Sequence, residues 1–149
     1  MRAVVQRVRD CAVTVGARTV GSIERGLLVY LGVGRADTPA TVRTVVEKVV
    51  NLRIFPDDAG KMNRSVKDTG GAVLVVSQFT LYGDVRDGRR PSYTAAADPP
   101  VARELYEAVM RGIAAEGIQV AGGEFAARMD VSYVNEGPVT ILVDSEKAF

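Results

Sequence analysis

The chain is 149 residues long, with 19 basic and 18 acidic side chains for a net charge of +1, 47% hydrophobic and 25% charged residues, one cysteine and no histidine. That balance fits one globular domain over 1–149 with a sizeable core. It excludes an internal disulfide, cysteine-rich metal clusters, histidine-based zinc centres and the commonest general base. Near-neutral charge leaves nucleic-acid affinity to a local patch. Met1–Arg7 does not read as a signal peptide and no apolar run nears the ~20 residues of a membrane span, so a cytoplasmic protein without membrane contact is expected.

In chain order, Val4–Val8, Ala12–Val15 and Arg18–Ile23 read as short strands, and Gly26–Val33 as an apolar strand buried on both faces. A helix follows: Thr38 suits the N-cap, Pro39 the first turn, and Val42, Val45, Val46, Val49 and Val50 recur at helical spacing. Residues 56–71 are rich in turn formers, with Asp57-Asp58 as a turn rather than a metal loop. Ala72–Gln78 is a second buried strand, and 82–97 a long loop without periodicity. A second helix opens at Asp98 with Pro99 and Pro100, faces inward through Val101, Leu105, Ala108, Val109 and Gly112, and stops at Gly117. Short strands near 118–121, 129–135 and 139–144 close the chain. The sum is a mixed α/β (α+β) architecture, with two helices against one side of a larger sheet system.

Two stretches carry chemistry. The buried strand runs into Ser77, Gln78 and Thr80, placing polar groups where a strand ends. Near the end of the chain, Asn135-Glu136-Gly137-Pro138-Val139-Thr140 interrupts alternating strand residues. Proline cannot donate to a ladder and Gly-Pro tolerates a cis bond, so a rigid turn between two strands is expected there. Arg86, Arg89 and Arg90, with Lys61, Arg64 and Lys67 upstream, form the candidate basic patch. Glu124, Asp130 and Glu136 read as solvated carboxylates, and Cys11 as a buried, unreactive thiol. No acidic cluster has metal-ligand spacing, so neither metal nor cofactor is expected.

Together, Ser77-Gln78-Phe79-Thr80-Leu81 and Asn135-x-Gly137-Pro138-x-Thr140 resemble the two signature motifs of the D-aminoacyl-tRNA deacylases. Gln6-Arg7-Val8, Gly26-Leu27-Leu28-Val29, Arg53-Ile54-Phe55, Gly60-Lys61-Met62-Asn63 and Arg90-Pro91-Ser92 extend the resemblance along essentially the whole chain. It implies a compact three-layer fold and hydrolysis of the ester between a D-amino acid and the 3′-terminal ribose of tRNA. Glycyl-tRNA mischarged on tRNA(Ala) is a further implied substrate. It also implies a homodimer in which Gly137-Pro138 of one subunit enters the other subunit's site and rejects L side chains.

In that frame Ser77, Gln78 and Thr80 are the catalytic candidates and Phe79, Gly137, Pro138, Asn135 and Thr140 bind substrate. Arg86, Arg89, Arg90 and Lys61 contact tRNA. Thr80 as a covalent nucleophile lacks any evident activating group. The resemblance implies a further route, hydrolysis assisted by the terminal adenosine's 2′-hydroxyl, which takes precedence over a covalent Thr80; backbone amides are the expected oxyanion donors. The alternatives are a non-catalytic tRNA-binding dimer and a small-molecule esterase using Ser77 or Thr80, for which Lys61 would be the available base.

Overall fold

The computed structural model describes residues 1–149. A five-stranded sheet is built from β1 (Arg2–Val15), β2 (Arg18–Gly32), β5 (Ala72–Ser77), β6 (Val120–Gly122) and β7 (Asp130–Asp144), in the order β6-β5-β2-β1-β7. The β1–β2 and β1–β7 pairs are antiparallel, whereas β2–β5 and β5–β6 are parallel. Between them lie α1 (Pro39–Asn51), the small hairpin β3 (Phe55–Pro56) and β4 (Met62–Arg64), a single turn α2 (Val66–Thr69), a 3₁₀ turn at Phe79–Tyr82, and α3 (Pro99–Ala115). The fold is mixed α/β, as the sequence predicts, with a one-turn helix added to the two expected.

Packing follows the strand period. Ala3 and Val5 of β1, Leu27, Val29 and Leu31 of β2, and Val73 and Val75 of β5 face the helices. There they meet Val42, Val45, Val46, Val49 and Val50 of α1 and Leu105, Tyr106, Val109 and Ile113 of α3. Leu28, Leu74 and Val76 point the other way, onto Val8, Cys11, Val13 and Ile23 and the start of β7 at Val131 and Tyr133. The outer half of the β1–β2 hairpin thus folds over the sheet as a third layer. Val101, expected on the inner face of the second helix, is exposed; Tyr106 and Ile113 take that face instead.

Two expectations about continuity are corrected. The segments 4–8 and 12–15 are one strand, because Asp10, at φ 50°, forms a bulge against β7 rather than a break. The extra residue shifts the inward-facing set from Val8 to Cys11 and Val13. Likewise 18–23 and 26–33 are one strand that passes through Gly26 at φ 149°, where the backbone presses against Ala72 and leaves no room for a Cβ.

The two ends of the chain meet in a buried polar knot. The α-ammonium of Met1, fully buried, donates to Asp37 Oδ1 at 2.5 Å and to Ser145 Oγ at 2.7 Å; Asp37 Oδ2 accepts from the Gly34 amide at 2.6 Å. Asp37 is itself 2% exposed. Asp37→Ala strands a buried ammonium without its counter-charge, so we expect a loss of about 3–5 kcal/mol in urea unfolding. Burial also raises the Cys11 thiol to about 11, so the native protein should resist thiol reagents at pH 8 and react only after denaturation.

Candidate active site

The carboxyl end of β5 opens onto a cleft of about 590 Å³, lined mainly by apolar groups. Ser77, Gln78 and Phe79 form one wall, and Tyr93, Phe125, Met129 and Val131 lie among the other lining residues. The backbone leaves β5 through Gln78, whose amide donates to Leu31 O at 2.8 Å, and then turns tightly over Phe79–Tyr82. Leu81 N–H is the amide that bonds back, to Gln78 O at 3.3 Å. The Phe79 and Thr80 amides therefore stand at the open start of the turn, where helical N–H groups lack an internal acceptor. Arg2 steadies the turn from behind, with Nη1 donating to Leu81 O at 3.0 Å and the guanidinium 4.6 Å from the centre of the Tyr82 ring.

Thr80 is exposed, and its hydroxyl oxygen accepts from Gln78 Nε2. An amide, whichever way it is turned, is no base. The titratable side chains on the cleft are Arg35, Tyr93, Asp98 and Tyr106. Tyr106 donates to Val75 O at 2.8 Å and burial pushes its phenol up to about 12, so it keeps its proton at neutral pH. Asp98, the one carboxylate, is 81% exposed at the rim, 4.0 Å from Arg35, and forms no helix-capping hydrogen bond. The sequence marks Asp98 only as a helix start, and neither it nor Tyr93 and Met129, all far from Ser77 in the chain, as part of a site. The aromatic residue after Arg90-Pro91-Ser92 was the available signal: Tyr93 meets Phe79 edge-on at 5.0 Å, and both rings are exposed, at 37% and 57%.

The second motif is not a turn between two strands, as its sequence suggested, but a bulge inside β7. Thr140 pairs with Gln6 and Asn135 with Val8, so Glu136, Gly137, Pro138 and Val139 all stand opposite the single residue Arg7. The surplus chain is pushed outward, and Gly137 and Pro138 are exposed at its tip. Asn135 closes the neck, with Nδ2 donating to Arg7 O and to Val139 O, both at 3.0 Å. Gln6 Nε2 donates to Thr140 Oγ1 at 3.0 Å. Gly137 has φ 121°, and a Cβ there would lie 2.8 Å from Val139 Cγ2 and 3.2 Å from Arg7 Nη2. The Gly137-Pro138 bond is cis. Glu136 departs from the solvated carboxylate expected: it is 20% exposed, with one oxygen 3.2 Å from Arg25 Nη2.

The two motifs are far apart within the chain. Arg7 aligns with Leu27 and Val73, whereas Ser77 aligns with Leu31, four residues further along β5. Three strand spacings and four residue rises make about 20 Å along the sheet. No residue of the bulge lines the cleft.

The basic residues divide. Arg86 forms an ion pair with Asp84 and holds its carboxyl down at about 2, while Arg64 and Lys67 are paired with Asp58 and Glu116. Arg89, Arg90 and Lys61 are exposed and have no carboxylate partner. Lys61, on the β3–β4 turn, does not line the cleft. No group of three or more acidic or cysteine side chains is placed to hold a metal ion, and no helix is long and apolar enough to cross a membrane.

Comparison with known proteins agrees along the chain. The D-Tyr-tRNA(Tyr) deacylase family model matches residues 4–144. The D-aminoacyl-tRNA deacylases of Koribacter versatilis and Desulfotalea psychrophila are 58% and 53% identical over 149 residues, all of each chain. The solved structure of a protein named c-Myc DNA Unwinding Element Binding Protein superposes with a TM-score of 0.91 at 38% identity, covering 97% of this chain and 99% of that one.

Asn135→Ala removes the donor that closes the bulge and leaves two carbonyls without it. A stability loss of about 1–3 kcal/mol is expected, with faster amide hydrogen exchange in the flanking Gln6–Thr140 and Val8–Asn135 pairs than in the unmodified chain. Unchanged exchange there would show that Asn135 does not hold the neck.

Proposed function

The chain belongs to the D-aminoacyl-tRNA deacylase family, hydrolases that edit mischarged tRNA, and on that premise we propose how its residues divide the work. The cleft beside Ser77–Thr80 holds the 3′-terminal aminoacyl-adenosine. The free amides of Phe79 and Thr80 stabilise the oxyanion, and Ser77 and Gln78 hold the substrate. The terminal 2′-hydroxyl assists water in splitting the ester. Because that ester is already activated, positioning and oxyanion stabilisation carry the rate without a strong base. The observation that carries this reading is the Thr80 hydroxyl bonded to an amide, with no base beside it.

Stereoselectivity is assigned to the bulge. The carbonyls of Gly137 and Pro138 approach the substrate α-carbon closely enough to exclude an L side chain, while a hydrogen there is accepted. The filter works by rejection, so it tolerates varied D side chains and passes glycine, including glycyl-tRNA(Ala). A tip about 20 Å from its own cleft along the sheet serves only the cleft of a second copy. We therefore propose a two-fold homodimer exchanging these motifs. Asn135 and Thr140 fix the neck, and Phe79 stacks on the terminal base. Arg89, Arg90 and Lys61 meet tRNA phosphates, while Arg86, held by Asp84, shapes the loop. The protein is proposed to act in the cytoplasm as a single domain, without metal or cofactor. The esterase alternative has less support, since Lys61, its available base, does not line the cleft.

Purified protein should hydrolyse D-tyrosyl-tRNA and spare L-tyrosyl-tRNA. Equal turnover of both would refute the filter, and turnover of neither would support a binding-only protein. Thr80→Ala and Asp98→Asn should each keep activity within about ten-fold, whereas a 2′-deoxy terminal adenosine should lose about 100-fold or more. An acyl-Thr80 adduct, or a 100-fold loss in Asp98→Asn, would replace substrate assistance with protein-based catalysis. Gly137→Ala has to place a methyl group 2.8 Å from Val139 Cγ2 and 3.0 Å from Val139 N, at a φ that side chains rarely adopt. It should therefore change the D/L ratio and not only the overall rate.

A further inference from the structure

We propose that Arg25 is a positioning residue for stereoselectivity, acting through Glu136 on the bulge that carries Gly137 and Pro138. This rests on the filter reading above. Arg25 lies on β2 and Glu136 on β7, with β1 between them. Their contact, Arg25 Nη2 to Glu136 Oε2 at 3.2 Å, therefore spans a whole strand. No ladder hydrogen bond requires it. The neck of the bulge is fixed by Asn135 and Gln6, but these contacts stop at positions 135, 139 and 140. Among the residues of the bulge between its two necks, Glu136 is the one whose side chain forms an ion pair.

The burial of the two partners is unequal, and that decides which way the contact acts. Arg25 is 67% exposed, whereas Glu136 is 20% exposed, and its Oε1 is enclosed without a hydrogen-bond partner. A carboxylate that has given up much of its water depends on its remaining cation. Without Arg25, Glu136 regains solvation by swinging outward, and the next residue is Gly137, which has few backbone restraints of its own. The tilt of the Gly137 and Pro138 carbonyls then changes. The Ser77–Thr80 cleft of the same chain does not, because it stands about 20 Å away along the sheet. Rate on D substrate and discrimination against L substrate should separate.

The test is the D/L ratio of tyrosyl-tRNA hydrolysis for Arg25→Gln, Arg25→Lys and the exchanged pair Arg25→Glu with Glu136→Arg, with thermal midpoints measured alongside. Because Arg25 is largely exposed, its single substitutions should leave folding intact. Arg25→Gln should raise L-tyrosyl-tRNA hydrolysis about five-fold with the D rate unchanged. Arg25→Lys should restore most of the discrimination. The exchanged pair should discriminate better than Arg25→Gln wherever its thermal midpoint matches the unmodified protein. An unchanged D/L ratio in Arg25→Gln overturns the inference, as does an equal change in both rates. Absence of discrimination in the unmodified protein would instead refute the filter itself.

Discussion

Four residues of one strand stand opposite one residue of its neighbour, and the rest of the proposed functional arrangement depends on that mismatch. Because β1 and β7 are in register on both sides of Arg7, the surplus Glu136–Val139 has nowhere to go but outward. A hairpin turn would have ended the strand there. A bulge keeps the ladder on either side, so the exposed tip is held by two stretches of antiparallel pairing rather than by a free loop. Asn135 converts a point of weakness into a closed neck, since one side-chain amide serves carbonyls on both strands. The outcome is a pair of backbone carbonyls on a mount closed at its neck, which suits the proposed rejection by shape better than a side chain with rotamers would.

The same geometry separates the proposed site of rate from the proposed site of selectivity. The proposed chemistry sits at the carboxyl end of β5, where the strand breaks into a 3₁₀ turn and amides are left open. The proposed discrimination sits at the far side of β1. A chain with no histidine, and with one rim carboxylate on its cleft, is poorly equipped for acid–base catalysis. It is well equipped to hold an activated ester in place. Substrate assistance removes the need for a nucleophile that could be misused on the more abundant L esters, so the proposed mechanism and the proposed selectivity support each other. Two separated halves also account for the proposed need of a second copy.

How much was legible in the sequence depended on how local each cause is. Helix α1 was readable because its cap, its proline and its valine stripe are all neighbours in the chain. The buried strands 26–33 and 72–78 were readable from composition alone. Strand continuity was not: Asp10 and Gly26 resemble breaks, and what carries the strand through them is pairing with residues far away in the sequence. Gly137-Pro138 read as a turn for the same reason, since a bulge is defined by the partner strand's register and not by its own residues. Glu136 read as a solvated carboxylate because its partner, Arg25, lies 111 positions away. Tyr93, Asp98 and Met129 were hidden because a cleft wall is assembled from three distant segments.

The central claim is that one copy supplies the Ser77–Thr80 cleft and another supplies the carbonyls that test chirality. The most direct measurement is a crystal structure with a non-hydrolysable D-tyrosyl-3′-aminoadenosine. The account predicts the ligand beside Ser77–Thr80 of one chain, with its α-carbon facing the Gly137 and Pro138 carbonyls of a second chain. A ligand bound in that cleft with no part of any Glu136–Val139 bulge beside its α-carbon would contradict it.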